Sequence, residues 1–382
     1  MTQVLHVLSG FGMGGAETWL LGQLRYLAQH PEIEVQMSFL ITGSEPGDLY
    51  SEFEKYSNEI HHIQISKSLQ IQEIIELRHI LKSGEFDAVH LHQDYTSGLI
   101  QALLIGRLPP IVVNHFHNPR YQQDYLYNVS FRRSVMLKLG KLFCAHSSTH
   151  FIGTSWKVLE SYETEKPLFS RIHKEAIYCF FDLSRFSNLQ QTKPNRLESE
   201  PYNILFIGRL DSSTQLENPR NHKNSALALT IIKELIDQGV HLKFHMLGKS
   251  IHALRSHESL ISRLGLEEHV IIHGIQKDIQ PFLAQAHLLL FPSREEGMGM
   301  VAIEAQAAGL GVLKSDGVPD EVICIPEIVK SISLDATITE WAAAAKEILE
   351  APAFKSHFDP SQFEKFDIEV QFQKLIDIYN DK

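Results

Sequence analysis

Leu288-Leu-Leu-Phe-Pro-Ser-Arg-Glu-Glu-Gly-Met-Gly-Met-Val-Ala-Ile-Glu-Ala-Gln-Ala-Ala-Gly-Leu-Gly-Val-Leu-Lys314 reads as a strand, a Pro/Ser/Gly-rich loop, a helix and a second short strand. Three carboxylates stand in it: Glu295 and Glu296 are adjacent in the loop, and Glu304 lies on the helix that the loop opens; Glu296 and Glu304 are the two singled out. A loop that brings an acid and several bare backbone N–H groups to a helix N-terminus suits a polyhydroxylated, phosphate-bearing ligand. The same residues also suit ordinary acidic compensation of a helix dipole. The rest of the chain decides between the two.

Outward from this stretch, short apolar strands alternate with amphipathic helices in two blocks, which predicts a doubled α/β architecture. In the first block Val4–Leu8 reads as a strand, followed by a glycine loop and a helix over 16–29. Further strands are expected at 35–41, 59–65, 88–92, 111–115, 150–152 and 176–179. Residues 188–203 are polar, carry two prolines and show no periodicity, as an inter-domain linker should. The second block opens on Ile204-Leu-Phe-Ile-Gly-Arg-Leu210, with a helix at 225–238 and strands at 241–247, 270–273, 288–291 and 311–314. The expected division is 1–187, linker 188–203, 204–360, and terminal helices over 361–382 that cross back to the first domain. Two facing domains of this kind hold ligands at the carboxyl ends of their strands, in the cleft between them.

Composition narrows the function. At 382 residues the chain suits two domains. A net charge of −11 argues against nucleic acid as a partner. The three cysteines, Cys144, Cys179 and Cys324, show no paired spacing, which fits free thiols in a reducing compartment. The start of the chain has no basic region before an apolar one, and the run at 99–106 is too short to span a bilayer. A soluble, cytoplasmic protein is expected. Residues 120–141 carry Arg120, Arg132, Arg133, Lys138 and Lys141 against Asp124 alone, interleaved with Tyr, Leu, Phe and Met. That segment is a candidate surface for anionic lipid at the inner face of a membrane, and equally a solvated helix face.

Four further features bear on chemistry. Gly10-Phe-Gly-Met-Gly-Gly-Ala-Glu17 matches G-x-G-x-x-G between a strand and a helix, which makes a dinucleotide dehydrogenase a rival. The second strand, however, runs out through Leu40-Ile-Thr-Gly43 with no ribose-binding acid at its tip. A phosphate-accommodating glycine loop is the better reading. The pairs His90/His92 and His115/His117 each fall on one face of a strand, but nothing with ligand spacing completes a site, so no metal is expected. His117, in Asn114-His-Phe-His-Asn-Pro119, is the best imidazole to meet a substrate. Arg209 closes an apolar strand and Lys223 immediately precedes a helix. Two fixed cations there meet the charge that develops on a departing diphosphate.

Taken in order, these features resemble the family 4 glycosyltransferases, retaining enzymes of the GT-B fold, over essentially the whole chain. The matching motifs are Gly14-Gly-Ala-Glu17, Asp87-Ala-Val-His-Leu-His92, His117-Asn118, Phe181-Asp-Leu-Ser-Arg-Phe186, Phe206-Ile-Gly-Arg-Leu210, Lys223-Asn224, Gly274 with Asp278, and the two-glutamate segment. Ser315–Val322 and 332–341 look most like the branch from exopolysaccharide and capsule clusters. The resemblance implies a nucleotide-diphosphate sugar as donor, UDP-sugar favoured, and a glycan or lipid-linked acceptor. It implies that Glu304 binds the ribose and Glu296 lies beside the donor sugar, and that the N–H groups of Gly297, Met298, Gly299 and Met300 face sugar and diphosphate. Arg209 and Lys223 would hold the diphosphate, with Gly14 and Gly15 approaching from the other domain. Base and sugar selection would fall to Ile275 and to Met298 and Met300, with His117 near the reacting carbon or the acceptor. The resemblance also implies no cofactor, no divalent metal, and front-face attack in which the leaving phosphate helps to deprotonate the acceptor.

Three departures stand out. The loop 211–222 is longer than usual, so Arg220 could replace Lys223. Leu247-Gly-Lys-Ser250 stands in place of Gly-Asp-Gly, which offers Lys249 as a phosphate or base contact. Cys179-Phe180 replaces Asn-Gly before the first-domain Asp182. A non-catalytic sugar-nucleotide-binding relative and a nucleotide-sugar epimerase remain the alternatives.

Overall fold

The computed structural model describes residues 1–12, 14–65, 70–120, 130–180, 197, 199–210, 214–216, 218, 221–248, 254–276, 278–351 and 359–381. The chain divides into two compact units: Met1–Phe181 together with Lys365–Lys382, and Asp182–Glu364.

The first unit is built on seven strands: β1 (Thr2–Leu8), β2 (Val35–Ile41), β3 (Ile60–His62), β4 (Ala88–Leu91), β5 (Ile111–Phe116), β6 (His150–Gly153) and β7 (His173–Ala176). They pair in parallel in the order β3-β2-β1-β4-β5-β6-β7. The second unit has β8 (Tyr202–Ile207), β9 (Leu242–Leu247), β10 (Val270–Gly274), β11 (Leu288–Phe291), β12 (Gly311–Ser315) and β13 (Val329–Ile332). These are also parallel, in the order β10-β9-β8-β11-β12-β13. The second sheet therefore follows the doubly wound order 3-2-1-4-5-6 and the first the same order extended by a seventh strand, with a switch point between β1 and β4 and another between β8 and β11.

Parallel sheets carry helices on both faces, so their strands are apolar on both faces. In β1, Val4 and Leu8 pack with Trp19, Leu20 and Leu24 of the helix Gly15–Gln29. Leu5 and Val7, on the other face, pack with Leu77, Ile80 and Leu81 of the helix Ile71–Ser83. In the second unit, Phe206, Phe244 and Leu290 share a core with Trp341 of the helix Ile338–Glu350. That helix starts on a capping box in which Thr337 and Glu340 satisfy each other's backbone N–H groups.

The last helix, Ile368–Tyr379, belongs to the first unit. Phe372, Leu375, Ile378 and Tyr379 enter the core around β1 and β2. The Gln371 side-chain Oε1 accepts from the Tyr178 N–H at 2.9 Å, and Thr2 Oγ1 donates to Asn380 Oδ1 at 2.9 Å.

Element boundaries differ from expectation in places. The last strand of the first sheet is His173–Ala176, not 176–179, because its register pairs His173 with His150 and Ala176 with Gly153. The apolar run beyond it, with Ile177 buried, packs against the core instead. β8 starts at Tyr202, so two residues assigned to the linker are strand. Residues 181–196, including Asp182, lie outside the described residues.

Candidate active site

At the switch point of the second unit, the tips of β8 and β11 stand side by side. The turn after β8 is tight. Gly248 has φ +147, and a Cβ on it would fall 1.9 Å from the Gly208 carbonyl oxygen. A Cβ on Gly208 would in turn meet the Lys223 stem at 3.0 Å. Lys223 thus lies across the strand tip. Asn224 holds it there in a left-handed conformation (φ 56, ψ 42) that caps the helix Ser225–Asp237, a conformation Asn tolerates better than most residues.

From this position Lys223 Nζ donates to Glu296 Oε1 at 2.6 Å and stands 5.4 Å above the Phe291 ring. The pair is only partly exposed, at 24% for the lysine and 12% for the glutamate. A cation at a helix N-terminus opposes the dipole, so an anion beside it is favoured twice over. Arg209 is exposed and has no hydrogen bond or ion pair with a described residue, which leaves its guanidinium for a ligand. His222 is buried between these cations, and burial first, then the nearby Arg209, holds its pKa down to about 4. Its carbonyl accepts from the Arg294 N–H at 2.7 Å and ties the 221–224 turn to the glutamate loop.

That loop ends at Gly299, whose φ of +94 caps the helix Met300–Ala307. A Cβ there would lie 3.1 Å from both Phe291 and Val318, so glycine is required by conformation and by space. Met298 is buried, Met300 is half-buried, and Glu304 is half-buried one turn into the helix. The loop is braced by its neighbour after β12. A Cβ on Gly317 would fall 2.0 Å from the Arg294 carbonyl oxygen, and Ser315 Oγ donates to the Ser293 carbonyl. Lys314, wholly buried, donates to the Val318 carbonyl at 2.9 Å and to Asp320 at 2.7 Å. Gln306 holds the next segment, donating to the Val322 carbonyl and accepting from the Cys324 and Ile325 N–H groups. His222, Arg294 and Lys314 were not singled out from the sequence. Their position next to the tips of β8, β11 and β12 is the signal that was available.

Elsewhere in this unit, Gly274 takes φ +70, and the apolar side chain of Ile275 after it is 58% exposed. Lys249 and Arg220 lie outside the described residues.

The first unit presents a second set of groups at its own switch point. The glycine loop after β1 packs on the 43–47 turn, where Phe11 N–H donates to the Pro46 carbonyl at 2.7 Å. A Cβ on Gly15 would meet nothing within 4 Å, and the sole obstruction at Gly14 is the Glu17 side chain. Packing therefore does not demand glycine at either position. Backbone N–H groups of Gly14 and Glu17 donate to the Glu17 carboxylate, whose pKa burial nonetheless raises.

His90, His92 and His115 stand with His6 and His117 on the face of the sheet that the helix Gly15–Gln29 covers. His92 Nδ1 meets His117 Nε2 at 2.8 Å, and His6 Nδ1 meets His92 Nε2 at 2.9 Å. A parallel pairing joins His115 Nδ1 to His90 Nε2 at 3.2 Å, and His90 Nδ1 to the Tyr379 hydroxyl at 2.6 Å. Burial lowers the pKa of all five; His6 and His117 sit at about 3, so the cluster is uncharged at neutral pH. The groups His6/His90/His92 and His92/His115/His117 each bring three nitrogens within 4.8 Å, a spacing a metal ion could use. In this arrangement the facing nitrogens pair with one another as donor and acceptor.

The described part of the basic segment is Arg120, Ser130 and the helix that begins at Phe131 and runs to Ser147. Phe131, Val135, Leu139 and Leu142 are exposed along it. Arg133 is bound to Asp94 at 2.8 Å and Lys141 to Glu163 at 2.8 Å. Residues 121–129 lie outside the described residues.

Two doubly wound parallel sheets with their loops gathered at the strand tips define a GT-B type α/β protein. The solved structure of Anabaena HepE in complex with UDP matches 99% of this chain and 99% of its own at a TM-score of 0.74 and 14% identity. The lipopolysaccharide outer core galactosyltransferase WaaB matches 99% of each chain at a TM-score of 0.71 and 16% identity. In sequence, residues 13–185 match the model of Glycosyltransferase Family 4, and residues 201–351 match that of Glycosyl transferases group 1. Two relatives align end to end. EpsF of Bacillus subtilis (strain 168) is 24% identical over 395 residues, covering 99% of this chain and 96% of its own. The capsular polysaccharide biosynthesis glycosyltransferase CapH of Staphylococcus aureus is 24% identical over 385 residues, covering 100% and 99%. The chain belongs to the family 4 glycosyltransferases.

Proposed function

We propose that this glycosyltransferase takes a UDP-sugar and transfers its sugar, with retention, to a glycan or lipid-linked acceptor in the assembly of a bacterial surface polysaccharide. The donor reading draws on HepE, solved with UDP and also with UDP and glucose, and the pathway reading on CapH. The observation that carries it is the Lys223–Glu296 pair at the crossing of the β8 and β11 tips.

In this reading the diphosphate lies against Arg209 and Lys223, whose fixed charges meet the leaving group without reorganisation. Those two cations do the work that a divalent metal does in other transferases, so no metal or cofactor is assigned. Glu304 accepts from the ribose hydroxyls, and Ile275 lies under the base. The N–H groups of Gly297–Met300 face the sugar and β-phosphate. Glu296 holds Lys223 in line and faces the sugar; within the first unit, Gly14 and Gly15 leave room for phosphate, and His117 is the imidazole for the sugar or acceptor. The acceptor hydroxyl oxygen bonds to the anomeric carbon as the bond from that carbon to the β-phosphate oxygen breaks. The hydroxyl proton passes to the departing phosphate, and UDP leaves.

The test is release of UDP from a panel of UDP-sugars, with acceptor supplied, by wild type, Arg209→Ala and Lys223→Ala. Turnover lost in both variants supports the reading. Donor binding without turnover on any acceptor would instead mark a non-catalytic binding protein, and interconversion of the donor sugar without acceptor an epimerase.

Among the described residues no helix is long and apolar enough to cross a membrane. Phe131 (87% exposed), Leu139 (46%) and Leu142 (56%), flanked by Arg132 and Lys138, form an exposed stripe that suits peripheral contact with anionic lipid. Sedimentation with phosphatidylglycerol vesicles should fall when Phe131 and Leu142 are replaced by Ser. Binding that is unchanged by those replacements would remove this part.

A further inference from the structure

The hydrogen-bonded row His6–His92–His117 fixes more than the position of His117. His92 uses both ring nitrogens, Nε2 toward His6 and Nδ1 toward His117. A neutral imidazole has one N–H and one lone pair, so the three rings must be oriented in series. Whichever way the row runs, the state of one end dictates the state of the other.

The far end selects the direction. His6 Nε2 is buried and has no partner among the described residues. A buried N–H without an acceptor is rarer and costlier than a buried lone pair without a donor. His6 therefore carries its proton on Nδ1 and donates to His92 Nε2. His92, accepting there, is protonated on Nδ1 and donates to His117 Nε2. His117 is left with its proton on Nδ1, and that nitrogen has no partner among the described residues.

We propose that His6 and His92 are positioning residues that lock His117 as the Nδ1–H tautomer, so that it offers the substrate a hydrogen-bond donor rather than a base. The inference rests on the reading above, in which His117 faces the sugar or acceptor. With its lone pair already committed to His92, His117 cannot take the acceptor proton. It donates instead to a hydroxyl oxygen of the bound sugar or acceptor, and the proton goes to the leaving phosphate. The reverse orientation would bury an orphan N–H on His6 and aim a basic nitrogen at the substrate.

The test is long-range proton–nitrogen NMR of the full chain labelled with nitrogen-15 in histidine, with assignment by single His→Asn variants. His6, His92 and His117 should each show a protonated Nδ1 and a lone-pair Nε2. A protonated Nε2 on His117, or signals averaged between tautomers, would overturn the proposal. In kinetics, His92→Leu should release the His117 tautomer and lower kcat by about tenfold while leaving the donor KM unchanged. His92→Asn, which can still donate to His117 Nε2, should restore the lock and most of kcat. Equal loss in both variants, with thermal unfolding unchanged, would reduce His92 to packing and defeat the proposal. Full transfer by His117→Ala would instead overturn the role given to His117 above, while the wild-type tautomer spectrum still reports the lock by itself.

Discussion

At the scale of single residues the account turns on Lys223. Its ammonium is held against Glu296 at 2.6 Å and its stem lies across Gly208. Lys223→Ala should lower kcat/KM for the donor by about a hundredfold, the usual cost of removing one preorganised charge from a transition state. The fold should survive, since the side chain is a quarter exposed. Glu296→Gln should behave differently. It leaves Lys223 free for phosphate, so UDP affinity stays within about threefold of wild type while kcat falls by about tenfold or more. Isothermal titration with UDP alongside steady-state kinetics separates the two. Equal losses of affinity in both variants would mean that the two side chains share one role. His222 and Arg294 show why part of the site was hidden in the sequence. His222 matters through burial beside Arg209 and Lys223, and Arg294 through a backbone bond to His222. Neither relation leaves a spacing that can be read along the chain.

At the scale of elements, the loop before the helix Met300–Ala307 works because Gly299 turns left-handed between Phe291 and Val318. Gly299→Ala should destabilise the second unit by about 1–3 kcal/mol and weaken UDP binding together with it, measured by denaturant unfolding and titration. The histidine-bearing strands predict a pH response. His6 and His117 have folded-state pKa values of about 3, below the ordinary value of 6.5. The unfolded chain therefore takes up more protons below pH 6.5, and stability falls as pH drops from there toward 3. Each such histidine contributes a slope of roughly 1.4 kcal/mol per pH unit in that window. Unfolding followed from pH 7 to pH 4 should be shallower in His6→Asn, and an identical slope would contradict the assignment. The alternation that puts His90 with His92, and His115 with His117, on one face was legible in the sequence. The contribution of His6 was not, because a lone histidine in an apolar strand carries no signal until β1 is placed beside β4.

At the scale of the whole molecule, the strand–loop–helix rhythm announced two α/β sheets, and the 3-2-1-4-5-6 order that both contain places loops where ligands bind. Helix positions were legible where apolar spacing was strong, as in Ser225–Asp237. Exact ends and the register of β7 were not, because partner strands set them. The terminal helix and its return to the first domain were expected, but which of its side chains are buried is set by packing that no local pattern specifies. Phe372, Leu375 and Tyr379 complete the core around β1, and the Tyr379 hydroxyl meets His90. Removing residues 365–382 should therefore destabilise the first unit by several kcal/mol, each large apolar side chain being worth about 2–5 kcal/mol when deleted from a core. Calorimetry should show the early loss of one transition and the survival of another. The most direct measurement is calorimetric titration of UDP into wild type, Lys223→Ala and Glu304→Ala. The account predicts one saturable site in wild type, weakened in the first variant and abolished in the second. Absence of UDP binding to wild type, or binding that neither substitution disturbs, would contradict a nucleotide-sugar site at the β8–β11 tips.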